Sequence, residues 1–306
     1  MKTSLIYSTA WGELHCIDSL EYMRSMPDNS VDLVMTSPPY ALHFKKEYGN
    51  ADQARYVQWM LPFAFEIQRI LKPSGSFVLN IGGAWTPGHP VRSLYQFRLL
   101  LALCDEIGFH LAQEFFWYNP AKMPAPAEWV NVQRIRCKDS VEYIFWLSKT
   151  ERPKANNAKV LQEYSRDMKR LMEKGLKATV RPSGHAIKDT FTSNHGGSIP
   201  GNLIQCGNNE SNSRYIKNSK ATKKKIHPAR YPAELPRFFI EFLTEAGDLV
   251  LDPFAGSNTT GAVAEALHRR WLGLELSEEY ARDSELRFKP VEILSENGQV
   301  MQGALL

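Results

Sequence analysis

The sequence predicts an α/β fold whose central sheet is doubly wound and mostly parallel. Two stretches in which strand-like and helix-like segments alternate, residues 1–148 and 227–290, support this prediction. Residues 149–226 lack sustained alternation and include a run rich in Gly, Ser and Asn, so we expect an insert there. Residues 291–306 are expected to form a peripheral tail.

Hydrophobic periodicity assigns the individual elements. In the first stretch it predicts strands at 13–17, 32–36, 76–81, 111–118 and 141–147, and helices at 53–71 and 91–108. In the last stretch it predicts strands at 249–252 and 271–275, and helices at 233–243, 258–267 and 277–286. Because strands and helices alternate, most of the strands should run parallel.

The overall composition argues against several classes of protein. The 306 residues are 43% hydrophobic, enough for a substantial core, but the apolar runs are too short to span a membrane. The N-terminus shows no signal-peptide pattern, so we expect a cytoplasmic protein without a membrane partner. The four cysteines have neither zinc-site nor disulfide spacing, and we expect no metal.

Charge is distributed unevenly along the chain. Residues 151–226 contain sixteen Lys or Arg against six acids, whereas the net charge of the whole chain is only +4. Since phosphate contacts dominate affinity for nucleic acid, a basic segment in an acidic body suggests a polyanion-binding surface. A solvated, lysine-rich loop would explain the charge alone equally well.

The first chemical signal is an apolar strand that ends abruptly in Ser37-Pro38-Pro39-Tyr40. In a parallel sheet these residues lie at the carboxyl end of a strand, where ligands bind. Ser37 Oγ and the Pro38 carbonyl are acceptors that could hold the two hydrogens of an exocyclic amine, and Tyr40 could stack on a base. An ordinary strand-ending turn would also explain the motif.

The second signal is a strand end, a turn of small residues and a helix start at residues 252–260. Gly256 would let a ligand approach the backbone, and Ser257-Asn258-Thr259-Thr260 could cap the helix or bind a polar group. The pattern is neither a P-loop nor the dinucleotide fingerprint. Glu275, nineteen residues after Gly256, lies where an acid binds ribose hydroxyls in dinucleotide folds, so the pair fits an adenosine cofactor.

Two acids have a structural explanation as well as a functional one. Glu275 could simply open the next helix. Asp18 follows the predicted strand at 13–17 and could accept from an adenine amino group, but helix N-capping explains it equally well.

Together these motifs resemble the β-group amino-methyltransferases of bacterial restriction-modification systems, in particular the PvuII-type cytosine-N4-specific members. The resemblance covers nearly the whole chain, although Gly201 stands where relatives often have proline. Its motifs are Thr36-Ser37-Pro38-Pro39-Tyr40, Leu71-Lys72-Pro73-Ser74-Gly75-Ser76, Trp117-Tyr118-Asn119-Pro120, Arg181-Pro182-Ser183-Gly184-His185, Gly196-Gly197-Ser198-Ile199-Pro200, His227-Pro228-Ala229-Arg230-Tyr231-Pro232 and Asp252-Pro253-Phe254-Ala255-Gly256-Ser257.

The resemblance implies a Rossmann-like fold dependent on S-adenosyl-L-methionine (AdoMet), with a target-recognition region as the insert. It makes Ser37, Pro38, Pro39 and Tyr40 the catalytic loop. The implied cofactor-binding residues are Asp18, Thr36, His227, Pro228, Arg230, Asp252, Phe254, Gly256, Ser257, Asn258, Thr259, Thr260 and Glu275. The candidate DNA contacts are Lys45, Lys46, Arg181, His185, Arg214, Lys223, Lys224 and Lys225.

The implied activity is methyl transfer to cytosine N4, because Ser37 stands where adenine-specific relatives usually carry aspartate. Family members act on a short, palindromic site in double-stranded DNA by base flipping and direct transfer. They protect it from a cognate restriction endonuclease without implied contact between the two proteins. The alternatives are adenine-N6 methylation, a catalytically silent DNA-binding protein of this fold, and a small-molecule methyltransferase.

The cysteines argue against methylation of cytosine C5. That chemistry needs a thiolate nucleophile, and enzymes of that class present their cysteine after a proline. The residues before the four cysteines are His15, Leu103, Arg136 and Gln205. We therefore disfavour C5 chemistry.

Overall fold

The computed structural model describes residues 4–41, 52–175, 193–208, 210 and 213–290, together with the backbone of 292–294 and 300–302. The strands of the main sheet are β1 (Ser4–Ser8), β2 (Gly12–Cys16), β3 (Val31–Thr36), β4 (Leu71–Ile81), β5 (His110–Tyr118), β6 (Val141–Ser148), β7 (Leu203–Gln205), β8 (Leu249–Asp252) and β9 (Arg270–Glu275). The helices are α1 (Ser19–Ser25), α2 (Tyr56–Ile70), α3 (Tyr95–Asp105), α4 (Arg166–Lys174), α5 (Arg214–Ala221), α6 (Glu234–Leu243), α7 (Thr259–Ala266) and α8 (Glu278–Ser284).

The sheet is doubly wound, as the sequence predicts, with strand order β1-β2-β9-β8-β3-β4-β6-β5-β7. The run from β2 to β4 is parallel throughout. β1 is antiparallel to β2, and β6 is antiparallel to both β4 and β5. From the adjacent strands β3 and β8 the chain proceeds to opposite sides of the sheet. A crevice therefore lies at the carboxyl ends of these two strands.

Alternate side chains of the central strands enter two apolar layers. In β3, Val34 packs in the layer covered by α1, α2 and α3, whereas Leu33 and Met35 pack in the layer covered by α6 and α7. In β8, Leu251 and Val250 divide between the layers in the same way. This alternation follows from the two-residue repeat of a strand, and it holds the central strands with both faces buried.

Two helices begin later than their periodicity predicts. Before α2, Asp52 forms a turn in which its carboxylate accepts the Ala54 N–H at 2.9 Å, and its carbonyl accepts the Arg55 N–H. Before α3, Trp85 and Arg92 form an antiparallel bridge. These local hydrogen bonds occupy backbone groups that the first helical turns would otherwise use.

Part of the expected insert at 149–226 forms a compact unit. Residues Ala155–Gly201 form a compact unit of their own, and the remaining residues form a larger unit. The expected insert at 149–226 therefore includes segments of the larger unit. Near the start of the expected insert, the Lys154 N–H donates to the Ser74 carbonyl at 2.9 Å. At its end, β7 pairs with β5, and Asn218 of α5 donates to the Leu286 carbonyl.

The smaller unit contains α4, which the sequence did not predict. Ser165 caps this helix by accepting the Met168 N–H at 3.1 Å. Gln162 and Ser198 form an isolated antiparallel bridge, and the His195 N–H donates to the Tyr164 hydroxyl at 2.8 Å.

The tail contains a two-stranded antiparallel ladder of β10 (Glu292–Leu294) and β11 (Val300–Gln302). The four cysteines are free thiols. Across the part of the chain that the structure describes, no helix is long and apolar enough to cross a membrane.

Candidate active site

A cavity of about 590 Å³ opens at the carboxyl ends of the parallel strands. This volume lies within the range of small-molecule sites, which also tend to be apolar with a few well-placed polar groups. β6 runs against β4, so its first residues, not its last, reach the same edge. Polar and small residues that line the cavity are, in the order of the strands, Asp18, Glu275, Gly256, Ser37, Asn80 and Glu142.

Glu275 and Gly256 form one end of the cavity, as their spacing predicts. Glu275 Oε2 accepts the Gly256 N–H at 2.8 Å, and Oε1 accepts the Ser277 N–H at 2.8 Å. Burial raises the pKa of Glu275, and the two backbone donors oppose that rise. Glu275 therefore both lines the cavity and fixes the start of the segment that leads into α8.

Gly256 has a left-handed backbone, with φ of +52°. A Cβ atom at this position would lie 3.3 Å from the His227 ring. Glycine meets both requirements, because it adopts this conformation without strain and lets the turn approach the wall of the cavity.

Asp18 caps a helix and also lines the cavity. Its Oδ1 caps α1 by accepting the N–H groups of Leu20 at 2.9 Å and Glu21 at 3.2 Å. The same residue lines the cavity beside Glu275, because β2 and β9 are neighbours in the sheet.

Three aromatic side chains form an apolar wall of the cavity. Phe254 follows β8, and its ring centroid lies 5.7 Å from that of Trp59 and 5.1 Å from that of Phe63, both on α2. The sequence singled out only Phe254 of these three. A wall of this kind suits a flat heterocycle such as adenine.

The segment at 227–231 closes another side of the cavity. Burial lowers the pKa of His227 to about 4, so its imidazole is neutral near pH 7. Its Nδ1 lies 2.6 Å from the Ala229 carbonyl, which fits an Nδ1–H that donates. Arg230 Nε lies 3.7 Å from Glu210 Oε2, and burial lowers the pKa of this guanidinium. Pro228 and Tyr231 also line the cavity.

Six predicted cofactor residues, Thr36, Asp252 and 257–260, lie behind the residues that line the cavity. Asp252 is buried and accepts from the hydroxyls of Thr36 and Thr260, each at 2.6 Å. Burial raises the pKa of Asp252, and these hydrogen bonds oppose the rise. Ser257 Oγ accepts from Arg287 at 2.9 Å, and Asn258 caps α7, whose first residue is the buried Thr259. Within the described residues, these six support the strand ends and do not line the cavity.

The other end of the cavity contains the predicted catalytic loop. The Tyr40 hydroxyl donates to Glu142 Oε2 at 2.8 Å and accepts from Ser37 Oγ at 3.1 Å. Asn80 Nδ2 donates to the same hydroxyl at 2.9 Å. Burial and the nearby Glu142 charge raise the pKa of Tyr40 well above its ordinary value, so this residue is a phenol and not a phenolate. Pro38 and Pro39 line the cavity beside it.

The Tyr40 ring lies against the backbone at Gly82, immediately after β4. A Cβ atom at Gly82 would lie 2.6 Å from Tyr40 Cε2. Glycine therefore makes room for the ring, which fixes the position of its hydroxyl.

Asn80 and Glu142 were not singled out from the sequence. Each lies in a predicted strand, where it reads as an ordinary polar position between apolar residues. Glu142 also pairs with Lys122, whose Nζ donates to Oε1 at 3.0 Å. These residues belong to the site only because β4 and β6 place them beside Tyr40.

The candidate DNA contacts are only partly described. Lys45, Lys46, Arg181 and His185 lie outside the described residues. Arg214 is the first residue of α5, and Lys223, Lys224 and Lys225 follow that helix with exposed side chains. Lys224 Nζ pairs with the carboxylate of Asp283 at 2.7 Å. These four lie in the larger unit and not in residues 155–201. Among the residues with described positions, no group of three or more His, Cys, Asp or Glu could hold a metal ion.

Comparison with known proteins identifies the class to which this fold and cavity belong. Residues 31–286 match the family model N6_N4_Mtase, described as DNA methylase. The type II methyltransferase M.PvuII of Proteus hauseri is 52% identical over 285 residues, which are 92% of this chain and 85% of that protein. The chain therefore belongs to the N6_N4_Mtase family of DNA methylases.

Solved structures support the same conclusion. The structure of PvuII DNA methyltransferase, described as cytosine-N4-specific, is similar with a TM-score of 0.78 and 46% identity, covering 95% of this chain and 91% of that one. The M1.HpyAVI–SAM complex is 20% identical with a TM-score of 0.54, covers 90% of this chain and 98% of that one, and shows the fold alone. Among relatives found by sequence, the DNA adenine methyltransferase YhdJ of Escherichia coli K12 is 27% identical over 274 residues, which cover 87% of this chain and 78% of that protein.

The predicted family, fold class and cofactor are thereby confirmed. The protein is a DNA methyltransferase that uses AdoMet, and DNA is its substrate. The cavity fits this cofactor. The carboxylates of Asp18 and Glu275 can accept from amino and hydroxyl groups, the wall around Phe254 suits adenine, and the turn at Gly256 leaves space where a side chain would intrude.

Proposed function

We propose that this protein methylates cytosine N4 at a specific site in double-stranded DNA. The observation that carries the proposal is that Ser37 Oγ, held by Tyr40, lies in the same cavity as the turn and acid that fit AdoMet. Ser37 follows β3, and β3 pairs with β8, which leads into the turn at Gly256. This arrangement supports an acceptor for the amine close to the methyl donor. M.PvuII, whose solved structure is described as cytosine-N4-specific, supports the choice of target.

The end of the cavity around Glu275 binds the cofactor. Asp18 and Glu275 accept from the adenosine portion, the aromatic wall packs on adenine, and residues 227–231 hold the methionine portion. When bound, AdoMet supplies an electrophilic methyl group on a positively charged sulfur. The residues behind the wall, such as Asp252 and Thr260, keep the strand ends in place.

The end around Ser37 binds the target base. The base leaves the duplex and stacks on the face of Tyr40 that is turned away from Gly82. Ser37 Oγ and the Pro38 carbonyl accept the amino hydrogens and so direct the nitrogen lone pair toward the methyl group. The nitrogen would take the methyl group directly, with S-adenosylhomocysteine as the leaving group and the proton lost to solvent, so no covalent enzyme intermediate would be needed.

DNA recognition is assigned to the region at 149–226, with the compact unit at 155–201 as its separate part. The basic residues Lys223, Lys224 and Lys225 contact the phosphate backbone. Methylation of a short palindrome would protect the site from a cognate restriction endonuclease, without contact between the two enzymes. The place of action is the bacterial cytosol, where this DNA lies.

The test identifies the modified base directly. The purified protein is incubated with isotope-labelled AdoMet and unmethylated bacterial DNA, which is then digested to nucleosides and analysed by mass spectrometry. Labelled N4-methylcytosine is the expected product. Labelled N6-methyladenine would retain the reaction but refute the target base, whereas absence of label from several DNAs would favour a catalytically silent DNA-binding protein.

A further inference from the structure

Glu142 determines the direction of every hydrogen bond around Tyr40. An ionised carboxylate only accepts hydrogen bonds, and here its Oε2 lies 2.8 Å from the Tyr40 hydroxyl while Lys122 donates to Oε1. Tyr40 therefore donates its single hydroxyl proton to Glu142. The Tyr40 oxygen must then act as an acceptor toward its other neighbours.

This constraint passes to Ser37. Its Oγ lies 3.1 Å from the Tyr40 oxygen, which has no proton left to give, so Ser37 must donate. A serine hydroxyl has one proton and two lone pairs. Asn80 Nδ2 lies 3.4 Å from Ser37 Oγ, so once the proton points at Tyr40, Ser37 can offer the target base only its remaining lone pair.

The same constraint orients the Asn80 amide. The atom 2.9 Å from the Tyr40 oxygen must be the donor Nδ2, which fixes Oδ1 on the other side of the amide. Asn80 is 1% exposed and lines the cavity, and its Oδ1 has no hydrogen-bond partner among the described residues. This oxygen is itself buried, so the Asn80 group that meets Tyr40 and Ser37 is Nδ2, which also lies 3.4 Å from Ser37 Oγ.

We infer that Glu142 is a positioning residue that, through Tyr40, makes Ser37 Oγ an obligatory acceptor toward the target base. Together with the Pro38 carbonyl, Ser37 Oγ matches the two hydrogens of an exocyclic amine and repels the lone pairs of a carbonyl oxygen. The hydrogen bonds from Glu142 through Tyr40 to Ser37 therefore favour amino bases over keto bases such as uracil. They do not distinguish cytosine from adenine. The inference rests on the proposed function, and it adds Glu142 as the residue that orients the Ser37 hydroxyl.

Glu142→Gln tests these hydrogen bonds because an amide of the same shape can donate as well as accept. If Tyr40 accepts from this amide, its proton can turn to Ser37, and the Ser37 proton then faces the amine. We expect single-turnover methyl transfer to fall about 10-fold to 100-fold, with AdoMet affinity unchanged within about twofold. The matched control is Glu114→Gln, the same change at an exposed position on β5, which should transfer at the wild-type rate.

A double-mutant cycle separates this role from a merely structural one. Tyr40→Phe keeps the ring but removes the hydroxyl through which Glu142 acts. Adding Glu142→Gln to Tyr40→Phe should therefore slow transfer by less than about twofold further. If the two changes multiply, or if Glu142→Gln alone transfers at the wild-type rate, the inference is wrong.

The selectivity can be measured without turnover. With S-adenosylhomocysteine present, DNA affinity is compared for duplexes carrying cytosine or uracil at the target position. The mismatch that uracil creates is the same for every enzyme, so only the change in the affinity ratio between enzymes matters. Preference for cytosine over uracil should fall about tenfold in Glu142→Gln and in Tyr40→Phe, and an unchanged ratio in both would overturn the inference. Absence of methyl transfer by the wild-type protein would instead refute the proposed function.

Discussion

The two ends of the cavity are held in place by different kinds of contact. At the cofactor end, Glu275 accepts backbone N–H groups from Gly256 and Ser277. At the catalytic end, Ser37 and Tyr40 are held by side chains that come from two other strands, Asn80 from β4 and Glu142 from β6.

This difference suggests that the two ends can be changed separately. The cofactor end depends on backbone geometry within one strand–turn–helix segment and the acid beside it, so it should govern affinity for AdoMet. The catalytic end depends on side-chain hydrogen bonds across three strands, so it should govern the rate of transfer. Substitutions at each end can therefore break or sharpen the comparison.

The largest effect is expected from Ser37→Ala. Loss of the hydroxyl removes an acceptor for the amine but leaves the cofactor end intact, so kcat should fall about 10²-fold to 10³-fold. The dissociation constant for AdoMet, measured by calorimetry, should stay within about twofold of the wild-type value. Equal losses in both constants would show that the two ends are not separable.

A single added methyl group at each end gives the next largest effect. Gly256→Ala imposes left-handed strain of about 1–2 kcal/mol and crowds His227, so the turn should shift and AdoMet should bind roughly tenfold more weakly. Gly82→Ala displaces the Tyr40 ring and should instead lower kcat roughly tenfold with little change in AdoMet affinity. Calorimetry and steady-state rates measure both constants for each variant.

Gly247→Ala is the control for backbone strain. Gly247 also has a left-handed backbone, with φ of +82°, but a Cβ atom there would meet nothing within 4 Å. This variant should lose some stability while its kcat and AdoMet affinity stay unchanged. If Gly82→Ala weakens AdoMet binding as much as Gly256→Ala does, the comparison fails.

His227 should make stability at the cofactor end depend on pH. Burial lowers its pKa from 6.5 to about 4, so between these values the unfolded chain binds a proton that the folded protein does not. The free energy of unfolding should therefore decrease as pH falls through this window, by about 3 kcal/mol at the limit. Urea denaturation between pH 4 and pH 7 should show a smaller acid loss for His227→Gln.

The difference between the wild type and His227→Gln isolates the contribution of His227 to the pH dependence of stability. Burial raises the pKa of Asp252 and of Glu275, so these groups contribute stability that is lost as pH rises, in both proteins alike. Parallel pH profiles for the wild type and the variant would contradict the assignment.

The smallest effect on catalysis is expected from Lys223→Ala with Lys225→Ala, which lies outside both ends. The double variant should bind DNA less tightly, and the slope of log affinity against log salt should become shallower by about 2. Both kcat at saturating DNA and AdoMet affinity should stay unchanged. Lys224 is left in place because it pairs with Asp283, whose side chain is 5% exposed. An unchanged slope would remove these lysines from the DNA surface.

The same contrast explains what the sequence could predict of the fold. Long amphipathic or fully buried segments such as α2, β3 and β8 were predicted at nearly their observed bounds, because periodicity and burial agree there. α4 was missed because its apolar stripe consists of only three residues, Met168, Leu171 and Met172, in an otherwise charged helix of nine residues that buries none of them. β7 has only three residues, and its place in the sheet depends on β5, which is distant in sequence.

The site divides in a similar way. Gly256 and Glu275 were predicted because the distance between a turn and the next strand end is fixed by local structure. Asn80 and Glu142 were not, because the place of each depends on the register of its strand against a neighbour, β4 against β3 for Asn80 and β6 against β4 for Glu142. A shift of one residue would turn each side chain to the opposite face of the sheet, and nothing local in the sequence specifies that register.

On the proposed assignment of DNA recognition, the junctions of the compact unit at 155–201 offer a route to enzymes with new sequence specificity. The chain leaves the larger unit after Lys154, whose N–H donates to the Ser74 carbonyl, and returns at Asn202, whose side chain donates to the Glu114 carbonyl at 3.0 Å. Both anchors are made within the larger unit, so they do not depend on which residues lie between them. A relative's segment grafted between these two positions should leave the transfer machinery intact and change only the DNA it is directed to.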